Sequence, residues 1–468
     1  MMQVVVTTKK TYDRKETLLL PYHIEFKSIL SKFNAKDASY IESYVKETAF
    51  SRLDRALLRV PEMNCFVILC GIQDDLTESI ARAVRAYRGR CETLVFDMAM
   101  FASFSLPDEI IVSMITDACI LGSYTSSSDD TMSLSSGGLR NVIINVPEKE
   151  SERYREMFNQ SVQNSEASRE ARTYGNQTFP ENQVDQFIEE FRKGLSRRWK
   201  VKVQRMKDLK AYRFSGIIHT SYCSDEEPAL ITAEHKPEKG KTIALAATIV
   251  LPNNVSSAKY HARKHAGSVL RAIAANYAQY ERDHSLIIAL SIITVNTAKF
   301  RQGDVRVASG STYAVSTPNH LVSTMLADTI YQASRYKPRQ IISLTSEIGG
   351  FSGFFGAKAA AYISNSDALS KKMDLASKRT REASWRLPLF FHPEASSATR
   401  RRFMLKVDGQ DAMFMNTRFL EINASGYPWM HLDLSAHAYA YEDDGTQSEG
   451  STGFGAALLN EYLRAVFR

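Results

Sequence analysis

Carboxylates are missing from two long stretches of a chain that otherwise carries many. Of 468 residues 52 are Asp or Glu, yet none lies from Lys239 to Tyr280 and none from Val305 to Ala327. A divalent metal ion would find no carboxylate ligand within either stretch. Cysteine is scarce as well. Cys65, Cys70, Cys91, Cys119 and Cys223 are scattered and odd in number, which argues against a disulfide framework and fits a reducing compartment. None has partners at zinc-finger spacing, and the ten histidines include no His-Glu-x-x-His pattern. No apolar run approaches the roughly 20 residues of a membrane helix. The basic segment Met1–Lys27 is interrupted by Asp13, Glu16 and Glu25 and has no hydrophobic signal core. An intracellular, cytoplasmic protein is expected, with a mitochondrial location as the alternative.

What is present is the composition of a folded protein. Hydrophobic residues make up 44%, enough for sizeable cores, and the length predicts two domains. The net charge of +7 is modest, but Arg192–Lys210 holds nine Lys or Arg, and Lys371–Arg402 is also basic. Such runs mark solvated helix faces or, alternatively, an acidic partner. No aromatic stacking pattern accompanies them, so nucleic acid is the lesser reading.

Apolar runs alternate with helical periodicity, the pattern of an α/β fold. Cys65–Gly71, Thr93–Phe96 and Val142–Val146 predict strands around a helix at Asp75–Arg88. Leu121–Gly138, rich in serine and ending in glycine, predicts a surface loop. Residues 1–150 are read as a smaller N-terminal α/β domain, 151–178 as a polar, helix-prone connector and 179–468 as a larger C-terminal domain. Within the latter, a helix is expected at Val184–Leu195 and strands at Val201–Val203, Gly216–Ile218, Ala229–Ala233 and Thr242–Leu251. A helix follows at Ser268–Tyr280.

Five segments of the second half, in order, carry a resemblance: Phe300-Arg301-Gln302-Gly303-Asp304-Val305, Lys337–Thr345, Ser384-Trp385-Arg386-Leu387-Pro388-Leu389, Pro428-Trp429-Met430-His431-Leu432-Asp433 and Gly450-Ser451-Thr452-Gly453-Phe454-Gly455. Together they resemble the leucine (cytosol) aminopeptidases over roughly residues 176–468. The resemblance implies an α/β C-terminal domain with a mixed central sheet. It also implies homohexameric assembly and a two-metal centre that activates water and polarises the scissile carbonyl. The family motif Asn-Thr-Asp-Ala-Glu-Gly-Arg-Leu, followed by Leu-Ala-Asp, is matched by Thr317–Asp328. The flank Leu326-Ala327-Asp328 is present, but Asn319, Leu321 and Ser323 stand at the Asp, Glu and Arg positions. Ala247 stands at the ligand Lys, Pro252 at the first ligand Asp and Ala262 at the next. Lys259 matches a catalytic Lys and is read as a relic or a salt-bridge partner.

The resemblance therefore implies an aminopeptidase scaffold with no metal site and no cofactor. A non-catalytic structural or assembly protein is expected, either a homo-oligomer or a subunit of a larger complex. The alternatives are a peptide-binding protein that does not cleave and a divergent metal-dependent leucyl aminopeptidase. The basic run Tyr260–His265 is read as solvated loop charge or as filling for the emptied pocket. His431 is expected to be a satisfied core residue. Ser311, Ser323 and Ser343 lack the setting of a nucleophile, and Gly349–Gly353 lacks the Lys of a phosphate loop. Restoring Asp at 319 or Glu at 321 alone is expected to leave a carboxylate without a metal partner.

Overall fold

The computed structural model describes residues 2–9, 11–63, 65–87, 89–124, 139–236, 242–277, 284–346, 356, 359–389, 402–404, 411–443 and 447–467. The chain divides into two compact units. One comprises Met1–Arg169 with Glu442–Glu449, the other Glu170–Tyr441 with Gly450–Arg468.

The first unit is built on strands β1 (Gln3–Thr7), β2 (Glu16–Tyr22), β3 (Arg55–Arg59), β4 (Phe66–Gly71), β5 (Thr93–Asp97) and β6 (Asn141–Asn145). They lie in the order β1-β6-β5-β2-β4-β3. All neighbours are parallel except β3, which runs antiparallel to β4 at the edge. The interior strands are continuous apolar runs because helices cover the sheet. Leu18, Leu20, Val67, Leu69 and Phe96 meet Ile80, Val84, Ile111 and Ile115 of the Leu76–Ala86 and Asp108–Gly122 helices in one core. The Asp75 carboxylate caps the first of these helices, accepting from the Thr77 and Glu78 amides at 2.6 and 3.1 Å. Of the segment read as a serine-rich loop, Leu121 and Gly122 end a helix, and 125–138 lie outside the described residues.

The second unit holds β7 (Trp199–Gln204), β8 (Ala229–His235), β9 (Thr242–Pro252), β10 (Ser285–Val295), β11 (Gly303–Arg306), β12 (Thr312–Val315), β13 (Gln340–Thr345), β14 (Ala360–Ser364), β15 (Ser384–Leu387), β16 (Arg402–Met404) and β17 (Trp429–Asp433). Eight of them form a mixed sheet in the order β15-β14-β17-β13-β9-β10-β8-β7, and β11, β12 and β16 form a small separate one. β9 and β10 pair in parallel over 11 residues at the centre. Their sequences, TIALAATIVLP and SLIIALSIITV, are almost without polar interruption because both faces are covered. The polar stretch 151–176 forms a single helix, Ser151–Asn176. Among the described residues no single helix is long and apolar enough to cross a membrane.

Two expectations are corrected here. Gly216-Ile217-Ile218 is not a strand but part of the Ser215–Ser221 helix. Its first-turn amides, Gly216 and Ile217, donate to the buried Asp328 carboxylate at 2.7 and 3.2 Å. A carboxylate at a helix N-terminus satisfies donors that have no partner within the helix. Gly216 is required there, since a Cβ would collide with the carbonyl of Thr324. The helix expected from Ser268 begins ten residues earlier and spans Ala258–Tyr277. Tyr260–His265 thus lies in its first turns, with Tyr260, Lys264 and His265 buried and His261, Ala262 and Arg263 half-buried, rather than in a solvated loop.

Candidate functional site

Alternation along β9 decides where its side chains go. Ala244 and Ala246 share an apolar cluster with Leu321, Met325 and Leu326 of the Asn319–Ser334 helix. Thr248 faces the same way. Its hydroxyl accepts from Ser291 at 2.8 Å, and Ser291 accepts from Thr329 of that helix at 2.7 Å. The alternate residues, Ala247 among them, point to the face covered by the Ala258–Tyr277 helix. There Ile249 lies so close that a Cβ on Gly267 would strike it.

The sequence-derived positions therefore do not converge on one polar cleft. Ala247 has 0% exposure and sits between Leu290 and Leu344 of the flanking strands. Pro252 ends β9, partly exposed, opposite Val295. Lys259 is exposed in the first turn of its helix and forms no ion pair with any described residue; Ala262 is half-buried one turn on. Asn319, Leu321 and Ser323 open the Asn319–Ser334 helix. At about 100° per residue, Leu321 lies roughly 200° around from Asn319. Asn319 consequently faces solvent and Leu321 is fully buried. Ser323, also buried, donates to Asn416 Oδ1 at 3.0 Å, and the Tyr313 hydroxyl donates to the same oxygen.

These residues do not fit a two-metal centre. Alanine, proline and leucine offer no ligand atoms on their side chains. A lone amide and a lone hydroxyl cannot replace four carboxylates and an amine. Among the described residues no group of three or more His, Cys, Asp or Glu side chains is placed to hold a metal ion.

The polar groups that are buried serve the fold. Asp328 accepts from Ala308 N at 2.8 Å besides the two helix amides. Burial pushes its carboxyl up to about 7 despite these three donors. Lys264 is fully buried. Its ammonium donates to the Gln177 carbonyl and lies 4.8, 5.1 and 5.8 Å from the ring centres of Phe179, Tyr260 and Tyr174. Desolvation lowers it to about 7. From the same helix, His261 meets the Gly175 carbonyl at 2.9 Å and His265 the Phe454 carbonyl at 2.8 Å. These side chains clamp the helix to two flanking segments, a role their charge alone did not suggest.

His431 is a core residue only half satisfied. Its Nδ1 meets Ser343 Oγ at 3.0 Å, and Ser343 also accepts from Trp429 Nε1 at 3.0 Å. Its Nε2 has no partner among the described residues. Burial depresses the imidazole to about 3, so it remains neutral and cannot serve as a base near pH 7. The Ser343–His431 pair is thus a packing contact. Two residues on, burial raises Asp433 to about 6, with one oxygen accepting from Ser435 N at 2.8 Å. Gly349–Phe355, which the resemblance places along a peptide pocket, lies outside the described residues.

Residues 261–460 match the sequence model described as the cytosol aminopeptidase family, catalytic domain. Ala262, Asn319, Leu321 and Ser323 fall inside the match; Ala247, Pro252 and Lys259 precede it. A probable cytosol aminopeptidase of Caulobacter vibrioides is 34% identical over 171 residues, 36% of this chain and 35% of the relative. That matched segment is about a third of the relative's length. Among solved structures, a mutant tomato leucine aminopeptidase superposes with a TM-score of 0.79 over 99% of this chain and 96% of its own, at 15% identity. The bottromycin maturation enzyme BotP gives 0.77 over 96% and 99%, at 20% identity. Over residues 261–460 the chain is thus similar to the catalytic domain of the cytosol aminopeptidases, and its fold is that of the two solved structures.

Proposed function

We propose that on this chain the cytosol aminopeptidase domain serves as a non-catalytic scaffold, a structural or assembly component that is itself oligomeric or a subunit of a larger complex. One observation carries the reading. Where the family resemblance calls for a metal-binding Lys and a metal-binding Glu, the chain has Ala247 and Leu321, both fully buried among apolar side chains. Without a metal centre there is neither an activated water nor a charge to stabilise the tetrahedral intermediate. The surrounding polar groups, Asp328, Lys264 and His265, are occupied in joining helices to neighbouring segments. Scaffold packing does not depend on the metal residues, so assembly is separable from catalysis.

The test is hydrolysis of leucyl-p-nitroanilide by the purified full chain with added manganese or zinc. No turnover above the protein-free rate is expected. Metal-dependent release that a chelator abolishes would refute the proposal and establish the second reading, a divergent aminopeptidase. That reading is favoured by the relatives, which are named probable cytosol aminopeptidases.

A further inference from the structure

The basic stretch Arg192–Lys210 plays no part in the positions above. Its strand β7 is the edge of the eight-stranded sheet, and alternation puts Lys202 and Gln204 on one face. The last turn of the Asn319–Ser334 helix and the segment after the Met206–Ala211 helix cover that face. Between them lies a cavity of about 180 Å³ lined by Lys202, Gln204, Tyr212, Gln332, Arg335 and Tyr336.

The lining is rich in donors. The Arg335 guanidinium carbon lies 4.6 Å from the centre of the Tyr212 ring and the Lys202 ammonium 5.5 Å from it. Neither cation forms an ion pair with any described residue, and Glu234, on the adjoining strand, is engaged by Lys236. The two carboxamide oxygens are taken. Gln332 Oε1 accepts from Arg335 at 3.2 Å, and Gln204 Oε1 accepts from Gln332 at 3.3 Å. The remaining nitrogen of Gln204, a residue with 1% exposure, has no partner among the described residues. That nitrogen is not among the fully buried unpaired atoms; it opens to the cavity, where an oxygen of water or of a ligand can accept from it. Lysines on an edge strand deter strand pairing, which accounts for Lys202 alone. It does not account for Arg335 on the same tyrosine or for the unpaired amide.

We propose that this cavity binds a phosphate group, as inorganic phosphate or as a small phosphate monoester. Two cations and an amide donor line the cavity. Phosphate near neutral pH carries up to two negative charges against the single charge of a carboxylate, so a pair of cations favours it. The volume leaves room beyond the phosphate for an ester group between the tyrosines.

Isothermal titration of the full chain with inorganic phosphate, adenosine monophosphate and acetate, at constant ionic strength, tests this. Saturable binding of one phosphate per chain is expected, with acetate at least about tenfold weaker. Lys202→Met, Arg335→Gln and Gln204→Leu should each weaken phosphate about tenfold or more. Lys202→Met and Arg335→Gln should leave the melting temperature of the free protein unchanged, since both residues are exposed. Adenosine monophosphate binding tighter than phosphate identifies a monoester site; equal affinity identifies a site for the free ion. No saturable binding of either up to about 10 mM, or phosphate binding unaltered in both cation variants, overturns the proposal.

Discussion

Leu321→Glu and Asn319→Asp restore one family residue each, and the structure predicts opposite consequences for them. Leu321 is fully buried in the cluster with Met325, Leu326 and Ala246. Replacing it removes about 2 kcal/mol of apolar burial. The new carboxyl, held among apolar groups, should have its pKa raised to about 7 or above. Remaining protonated at pH 7 when the unfolded chain would ionise near 4.3 costs about 4 kcal/mol more. A loss of about 6 kcal/mol is comparable with the whole stability of a typical domain. The pH dependence has a definite sign. A folded pKa raised above the unfolded one gives stability that is present at low pH and lost as pH rises through the folded value. Relative to the parent, the variant should therefore recover up to about 1.4 kcal/mol per pH unit between pH 7 and about 4.3. Asn319 is exposed in the first turn of its helix. Asp there should be neutral or stabilising by about 0.5 kcal/mol. Urea unfolding of both variants at pH 7 and pH 5, with and without manganese, measures all of this. Equal effects at the two positions, or stoichiometric manganese binding that rescues Leu321→Glu, would refute the placement of these residues.

Two further outcomes follow from the same packing, and a third from the proposed scaffold role. Lys264 has its pKa lowered to about 7 by burial, so parent stability should rise with pH from about 7 towards 10.4. Lys264→Met should remove that slope, making the variant's relative stability greatest at pH 6 in thermal unfolding; parallel curves would contradict the buried ammonium. Gly216→Ala, forced against the Thr324 carbonyl, should cost about 2 kcal/mol or more by urea unfolding, and a neutral result would displace the Ser215–Ser221 helix from the place described. Native mass spectrometry at micromolar concentration should show a defined oligomer, with a hexamer as the leading expectation. A clean monomer would leave only a subunit that needs a different partner.

The central strand β9 was legible as a long apolar run. It was expected at Thr242–Leu251 and is found at Thr242–Pro252, whereas β10, an equally apolar run, was not among the expected strands. The misread elements owe their form to residues distant in sequence. Gly216–Ile218 has strand-like side chains, and its helix depends on a carboxylate 112 positions away. Tyr260–His265 looked solvated because four of its six residues are His, Arg or Lys. Its burial depends on carbonyls and rings of 174–179 and 451–454, which no local pattern announces. The candidate site was legible as a set of replaced residues but not as a geometry. Sequence treats Asn319 and Leu321 as equivalent losses, whereas helical winding sends one to solvent and the other to the core. Tyr212 gave no stacking signal either, since Arg335 reaches its ring from another element.

The segments that carry the family resemblance also have duties unrelated to turnover. Asp328, at the end of Leu326-Ala327-Asp328, holds the amides of Gly216, Ile217 and Ala308. Losing it would leave three donors unsatisfied, two of them buried, and unseat the first turn of a helix. Trp429 fills the core and donates to Ser343, and Met430 and Leu432 are fully buried in the same strand. The Ser451–Phe454 segment supplies the carbonyls that His265 and Arg172 bond. Each of these is explained by packing within its own unit, so none by itself requires an oligomer. Trp385 differs in being 63% exposed, on the edge strand β15. If assembly depends on one of the resembling segments, physical economy points to that strand. Trp385→Ser should then lower the mass seen by light scattering without changing the melting temperature of the isolated fold. An unchanged oligomer in that variant would move the interface away from β15.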